Sequence, residues 1–194
     1  FGSVKKSLEI VKKNNSKIVT IAGGPHPSCL PNNILNELQN LDYAFCGEAE
    51  KGFTELINNL EKGSLSEKIS SIPGLIYKDG EKTKTNPQYF ENNLDTLGLP
   101  AWDLIAPNTY PNTPHGIFAK NFPTAPIFIT RGCPFSCTFC AGNTVTGKKL
   151  RFRSIKNVIE EIKLLHEKYG VQEIHIEDDN FTLRRELVVE FCNE

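Results

Sequence analysis

Three cysteines fall within eight residues, in Arg131-Gly-Cys-Pro-Phe-Ser-Cys-Thr-Phe-Cys140, and a loop this rich in thiols needs firm elements on both sides. The flanking sequence supplies them. Pro126-Ile-Phe-Ile-Thr130 is the near-continuous apolar run of a buried strand that leads straight into the cysteines. Beyond the loop, Ser154 reads as an N-cap, and Ile155, Val158, Ile159, Ile162, Leu165 and Tyr169 line one helical face that Gly170 terminates. Glu173-Ile-His-Ile-Glu177 then alternates as a second strand. Strand, loop, helix and strand make one right-handed βαβ unit, with the cysteines at the carboxyl end of its first strand. In α/β sheets and barrels that edge is where ligands bind.

The amino-terminal part is also α/β. A charged helix over Phe1–Asn15 precedes Lys17-Ile-Val-Thr-Ile-Ala22, which reads as a strand buried on both faces. Gly23-Gly24-Pro25 follows, then a helix from about Pro31 to Asn40, a short strand at Asp42–Cys46, and a helix over Glu48–Leu60 closed by Gly63. This alternation predicts the later half of a doubly wound parallel sheet. Asp79-Gly80, between Gly74-Leu-Ile-Tyr77 and Lys82–Thr85, predicts a hairpin where the parallel unit ends. Residues 87–126 hold most of the prolines and little periodicity, as a linker would. The expected division is residues 1–70, a hairpin and linker over 71–124, and a second domain over 125–194.

Charge and composition exclude several classes. Lys+Arg 22 against Asp+Glu 23 gives a net charge of -1, which offers no field to gather nucleic acid or an anionic membrane. No apolar run approaches the ~20 residues that cross a bilayer. Six cysteines without secretory context suit a reducing compartment, and clustered thiols there bind metal more often than they pair. Cys29, Cys46 and Cys192 stand apart, among apolar neighbours, and read as small buried side chains. With no methionine in the chain and no stop signal after Leu183–Glu194, both ends are expected to be internal to a longer protein.

The thiol spacing is C-x3-C-x2-C. A structural zinc site takes four ligands, and a cubane cluster held wholly by protein takes four cysteines. Only three are local here, since His166, His175 and Cys192 lie on later elements. An iron without a protein ligand is open to a substrate. Gly132 and Pro134 fit a tight loop whose amides point at cluster sulfides.

With Cys133, Cys137, Phe139 and Cys140 matching C-x3-C-x-aromatic-C, the chain resembles the radical S-adenosylmethionine superfamily. The resemblance implies that the three cysteines hold a 4Fe–4S cluster and that the open iron takes S-adenosylmethionine. It also implies that Phe139 packs near the adenine. Family members commonly carry Gly-Gly-Glu after the second barrel strand, where this chain has Glu177-Asp-Asp-Asn-Phe-Thr182. That version is similar to the cobalamin-binding subfamily, which makes Asp178 and Asp179 candidates to contact the cofactor's ammonium; the plainer reading is an acidic loop capping the next helix. His175 and Glu177 project opposite Ile174 and Ile176, toward a barrel lumen. Arg151 and Arg153 could meet a ligand's carboxylate or phosphate, against the plainer reading of a solvated basic flank.

Gly23-Gly24-Pro-His-Pro-Ser28, Gly47-Glu48-Ala-Glu50, Gly74-Leu-Ile-Tyr77 and Leu99-Pro-Ala-Trp-Asp-Leu104 form an ordered series that resembles the cobalamin-binding domain and linker ahead of such barrels. By that resemblance, Gly23 and Gly24 lie by the nucleotide tail of cobalamin. His26 lacks the Asp-x-His-x-x-Gly setting of a cobalt-binding histidine, since position 24 is glycine and position 29 is cysteine. The implied fold is the C-terminal half of a Rossmann-like cobalamin-binding domain followed by the start of a partial (β/α) barrel. The implied reaction is methyl transfer to an unreactive carbon, with cyclisation or methylthiolation as alternatives. Outside enzymes, an electron carrier would need a fourth cysteine, and a zinc module would stay colourless. A small-molecule or lipid substrate, a flavodoxin or ferredoxin as reductant, and a cytoplasmic location complete the expectation.

Overall fold

In the computed structural model, residues 1–112 and 118–194 are described, and they gather into two compact units. The first comprises Phe1–Phe90 with Phe135–Gly147, and the second Glu91–Pro134 with Lys148–Glu194.

In the first unit, α1 (Gly2–Asn14) leads to β1 (Ile21–Ala22), α2 (Pro25–Cys29), α3 (Ile34–Glu37), β2 (Tyr43–Phe45), α4 (Glu50–Lys62) and α5 (Leu65–Lys68). A 3-10 turn at Ile69–Ser71 then precedes β3 (Leu75–Asp79) and β4 (Lys82–Thr85). The four strands lie in the order β1-β2-β3-β4; β1 and β2 are parallel, and β3 and β4 join antiparallel. The sheet is therefore mixed, because the Asp79-Gly80 hairpin adds to its edge instead of leaving it. Two apolar clusters flank it: Ile34, Leu35, Leu38, Leu41 and Ile76 in one, and Phe45, Leu56, Ile72 and Leu75 in the other. Fully burying a side chain of this kind stabilises by roughly 1.5–3 kcal/mol.

Several expectations change here. The strand expected over Lys17–Ala22 shrinks to two residues, and Ile18 and Val19 are exposed. β1 is the edge strand of this sheet among the described residues, so part of its predicted cover is missing. The helix expected from Pro31 to Asn40 is a single turn, α3: the chain bends at Leu38, which lets Leu38 and Leu41 both reach the core beside Ile34 and Leu35. Of the isolated cysteines only Cys46 is buried, whereas Cys29 and Cys192 are exposed. Gly63 caps α4 at φ 68, as the sequence predicts.

The second unit holds β5 (Thr124–Ile127) and β6 (Thr130–Arg131). The short α6 (Gly142–Val145) belongs to the first unit. The chain continues with β7 (Arg151–Phe152), α7 (Ile155–Tyr169), β8 (Glu173–Ile176) and α8 (Arg185–Asn193). β5 and β8 are parallel with α7 between them in sequence, and β6 pairs antiparallel with β7. Ser154 Oγ accepts from Asn157 N–H at 3.2 Å and Gly170 sits at φ 67, so both ends of α7 are set by local chemistry. Its apolar face, Val158, Ile162 and Leu165, packs with Ala125, Ile127 and Ile129.

One charged residue sits within that face. Glu161 is 1% exposed, accepts from Trp102 Nε1–H at 2.8 Å and pairs with the Arg153 guanidinium. Arg153 also donates to Phe128 O at 2.8 Å, while the buried Arg151 donates to Glu91 O at 2.9 Å. The basic flank expected to be solvated is thus internal, because two carbonyls and a carboxylate receive it. Residues 87–112 are likewise no bare linker: they form 3-10 turns at Leu94–Leu97 and Pro107–Thr109, and Trp102 docks on α7. Among the described residues no helix is long and apolar enough to cross a membrane.

Candidate functional site

Strand pairing ends abruptly where the cysteine loop begins. The strand expected over Pro126–Thr130 is β5, which stops at Ile127, and β6, which resumes at Thr130 with a different partner. A backbone bond from Arg153 and the side chain of Asp178 take over the ladder bonds at this break. Arg153 N–H donates to Ile129 O at 2.9 Å, and the Asp178 carboxylate accepts from Ile129 N–H at 2.8 Å and Thr130 N–H at 2.9 Å. Thr130 Oγ1–H adds a third bond to Asp178 at 2.8 Å.

Burial pushes the Asp178 carboxyl above its ordinary 3.8; bonds from Thr130 and Ile129 work against this, and the charge of Asp179 adds to it. Asp179 is exposed. Asp178 and Asp179 therefore differ: one is committed to the backbone of the entering strand, and the other faces solvent.

After Arg131 the chain turns at Gly132, whose φ of 90 suits glycine, and reaches Cys133. Cys133 is partly exposed and belongs to the second unit; Cys137 and Cys140 are exposed and belong to the first. Cys140 N–H donates to Cys137 O at 3.1 Å, closing a turn between the last two thiols. Gly142 N–H donates to Cys140 Sγ at 3.3 Å, and Asn143 Nδ2–H to Phe135 O at 2.6 Å. The Phe139 ring is 91% exposed.

Among the described residues no three His, Cys, Asp or Glu side chains converge as a formed metal site. The donor set nonetheless fits an iron–sulfur cluster: three thiols on one exposed loop, soft ligands of the type iron–sulfur clusters take, with an amide already donating to one sulfur. Zinc would require a fourth donor, which the loop does not contain.

The glycine pair lies elsewhere in the first unit, at the carboxyl end of β1. A Cβ on Gly23 or Gly24 would meet nothing within 4 Å, and Gly24 has φ 98. The backbone there is open to a close approach. A cleft of about 200 Å³ lined by Ala22, Gly23, His26, Pro27, Ile34 and Leu38 adjoins it. Within the same unit, α2 packs on α6, the turn that follows Cys140.

His175 and Glu177, expected to face a lumen, differ in the same way as the two aspartates. Glu177 is exposed, whereas the His175 ring is largely buried, with Nε2 3.4 Å from Glu173 Oε1 and without a hydrogen-bond partner. Sequence reasoning missed Glu161, and it named Trp102 only within the Leu99–Leu104 linker series and not as a partner of α7. Glu161 could have been found as the one acid at i+3 from Val158 and i−4 from Leu165 on an apolar face.

Residues 127–193 match the family model of the Radical SAM superfamily, the span that holds the thiol loop, α7 and the Asp178 loop. Over that span the chain is similar to the Radical SAM superfamily. It is 33% identical over 183 residues to an uncharacterized methyltransferase of Pyrococcus horikoshii, covering 94% of this chain and 38% of that protein. It is 28% identical to an anaerobic magnesium-protoporphyrin IX monomethyl ester cyclase of Rubrivivax gelatinosus, over 98% of this chain and 33% of the cyclase. A solved structure of the cobalamin-dependent S-adenosylmethionine radical enzyme OxsB, with aqua-cobalamin and S-adenosylmethionine bound, superposes with a TM-score of 0.74 at 19% identity. It covers 100% of this chain and 27% of OxsB, so this likeness speaks to the mixed α/β fold. The chain thus spans well under half the length of each of these proteins.

Proposed function

We propose that the full-length protein is a radical S-adenosylmethionine enzyme that also binds cobalamin and transfers a methyl group to an unreactive carbon. The observation that carries this reading is the three-thiol loop at the carboxyl end of β5, inside the span that matches the superfamily. Cys133, Cys137 and Cys140 would hold a 4Fe–4S cluster and leave one iron for S-adenosylmethionine. When bound, the cluster supplies one electron that cleaves the sulfonium to methionine and a 5′-deoxyadenosyl radical, which takes a hydrogen atom from substrate.

The chain's own groups have separable tasks. Phe139 offers an apolar face to the adenine, Asp179 an exposed carboxylate to the cofactor's ammonium, and the Gly142 amide a hydrogen bond that favours the electron-rich state of the Cys140 sulfur. Gly23 and Gly24 offer bare backbone to the nucleotide tail of cobalamin. On this reading, residues 1–70 are the later part of a Rossmann-like cobalamin-binding domain, 71–124 a hairpin and connector, and 125–194 the start of a partial barrel. A small-molecule or lipid substrate, a flavodoxin- or ferredoxin-type reductant and a cytoplasmic location belong to the same proposal. The similarity to the Rubrivivax cyclase favours radical cyclisation as the second reading.

Anaerobic reconstitution of the full-length protein tests this directly. The expected product is brown, with about four irons per chain, and takes up cobalamin; replacing all three loop cysteines by alanine removes the iron and the brown cluster absorption, while cobalamin uptake, read from its own red absorption, persists. A wild-type protein that retains one zinc and no iron contradicts the reading.

A further inference from the structure

Asp178 stands where strand pairing changes partners. β5 runs with β8 as far as Ile127 opposite Ile176, and Glu177 N–H extends that ladder by one bond to Ile127 O at 2.9 Å. From there the strands part, and Thr130 and Arg131 pair instead with Phe152 and Arg151. Three donors at the fork, the N–H groups of Ile129 and Thr130 and the Thr130 hydroxyl, all end on the Asp178 carboxylate. Ile129 is 0% and Thr130 2% exposed, so water cannot replace that acceptor.

Thr130 is therefore held from two sides, by β7 and by Asp178, three residues before Cys133. Arg131 shares the β6–β7 pairing, which leaves Gly132 as the joint before the first thiol. We infer that Asp178 is a positioning residue for Cys133, fixing the exit of β5 and β6 so that the first thiol meets its iron at a set place; this rests on the reading of the loop as a cluster site. It moves Asp178 from a cofactor contact to the support of a ligand, and leaves the exposed Asp179 for the ammonium.

Asparagine at position 178 is nearly isosteric but carries one acceptor oxygen and an amide group that confronts a buried N–H donor. Thr130→Val removes one of the three bonds and keeps both backbone bonds. Asp79→Asn, at a surface hairpin where Asp79 pairs with Lys84, controls for the loss of one negative charge.

The experiment compares anaerobically reconstituted full-length wild type, Asp178→Asn, Thr130→Val and Asp79→Asn for folding by circular dichroism and for the rate of iron loss to a chelator. The electron paramagnetic resonance of the reduced cluster is recorded before and after S-adenosylmethionine. The expected result is wild-type behaviour for Asp79→Asn and, for Asp178→Asn, iron loss about tenfold faster, the lower end of what removing a ligand's supporting partner costs. Its spectrum is already altered before S-adenosylmethionine is added, and Thr130→Val loses iron at an intermediate rate. If Asp178→Asn does not fold, faster iron loss in Thr130→Val supports the inference and a wild-type rate overturns it. An Asp178→Asn cluster with wild-type stability and spectrum that loses only its response to S-adenosylmethionine overturns it too, making Asp178 a direct cofactor contact and leaving the enzyme reading intact. A wild-type protein that takes up no cluster overturns the loop reading and the inference together.

Discussion

Asp42 and Asp178 hold opposite ends of two parallel strand pairs with nearly the same bonds. Asp42, just ahead of β2, accepts from Thr20 N–H at 2.7 Å and Thr20 Oγ1–H at 2.8 Å, just ahead of β1. Asp178, just past β8, accepts from two amides and a threonine hydroxyl just past β5. The difference is a cation. Lys12 from α1 reaches Asp42 at 2.6 Å, whereas among the described residues no cation pairs with Asp178. Burial raises both carboxyls; Lys12 and Thr20 outweigh it at Asp42, which ends below its ordinary 3.8, and nothing outweighs it at Asp178, which ends above. At the amino edge the negative charge is settled within the fold. At the carboxyl edge it is met only by the two amides and the hydroxyl of the entering strand.

Four measurements would break or sharpen that contrast. The largest effect is expected outside the pair, at the fully buried Glu161, where alanine leaves the Arg153 cation without its partner and costs about 3–5 kcal/mol of stability. Thermal melts of the full-length protein read it, and a loss under 1 kcal/mol would mean the pair is wet. Next, Asp178→Ala lowers the opening free energy of the Ile129 and Thr130 amides in hydrogen exchange by about 2 kcal/mol, since two buried donors lose their acceptor. Asp42→Ala lowers that of Thr20 by only about 1 kcal/mol, because the Asp42 side chain is 36% exposed and water can step in. Equal losses at the two sites would erase the distinction.

Acid titration by NMR, the smallest of these effects, should place the two carboxyls on opposite sides of 3.8. The linkage has opposite signs. Asp42, depressed in the folded state, adds stability that is present above 3.8 and lost as pH falls through its lower folded value. Asp178, elevated in the folded state, favours the fold most below 3.8, and that contribution is lost as pH rises through its higher folded value. Lys12→Met should move Asp42 upward and leave Asp178 in place; a joint shift would show that the two are not independent.

What the sequence shows well is whatever neighbouring residues decide. Ser154 and Gly170 end α7 through bonds within a few residues, Asp79-Gly80 makes its hairpin, and the thiol spacing is itself the motif. What it hides depends on partners far along the chain. Asp178 looks like a loop acid because its donors lie 48 and 49 residues away. Arg153 looks solvated because Glu161 and Phe128 O meet it only once α7 packs on β5. Lys17–Ala22 reads as a covered strand, yet among the described residues β1 pairs on one side alone, and Ile18 and Val19 are exposed.

The central claim is an iron site that three thiols leave open. Electron paramagnetic resonance of the reduced, reconstituted full-length protein, recorded without and then with S-adenosylmethionine, tests it most directly. The expected result is a cluster signal whose g values shift when S-adenosylmethionine is added; a signal unmoved by a saturating amount would mean that the last iron is already held by the protein.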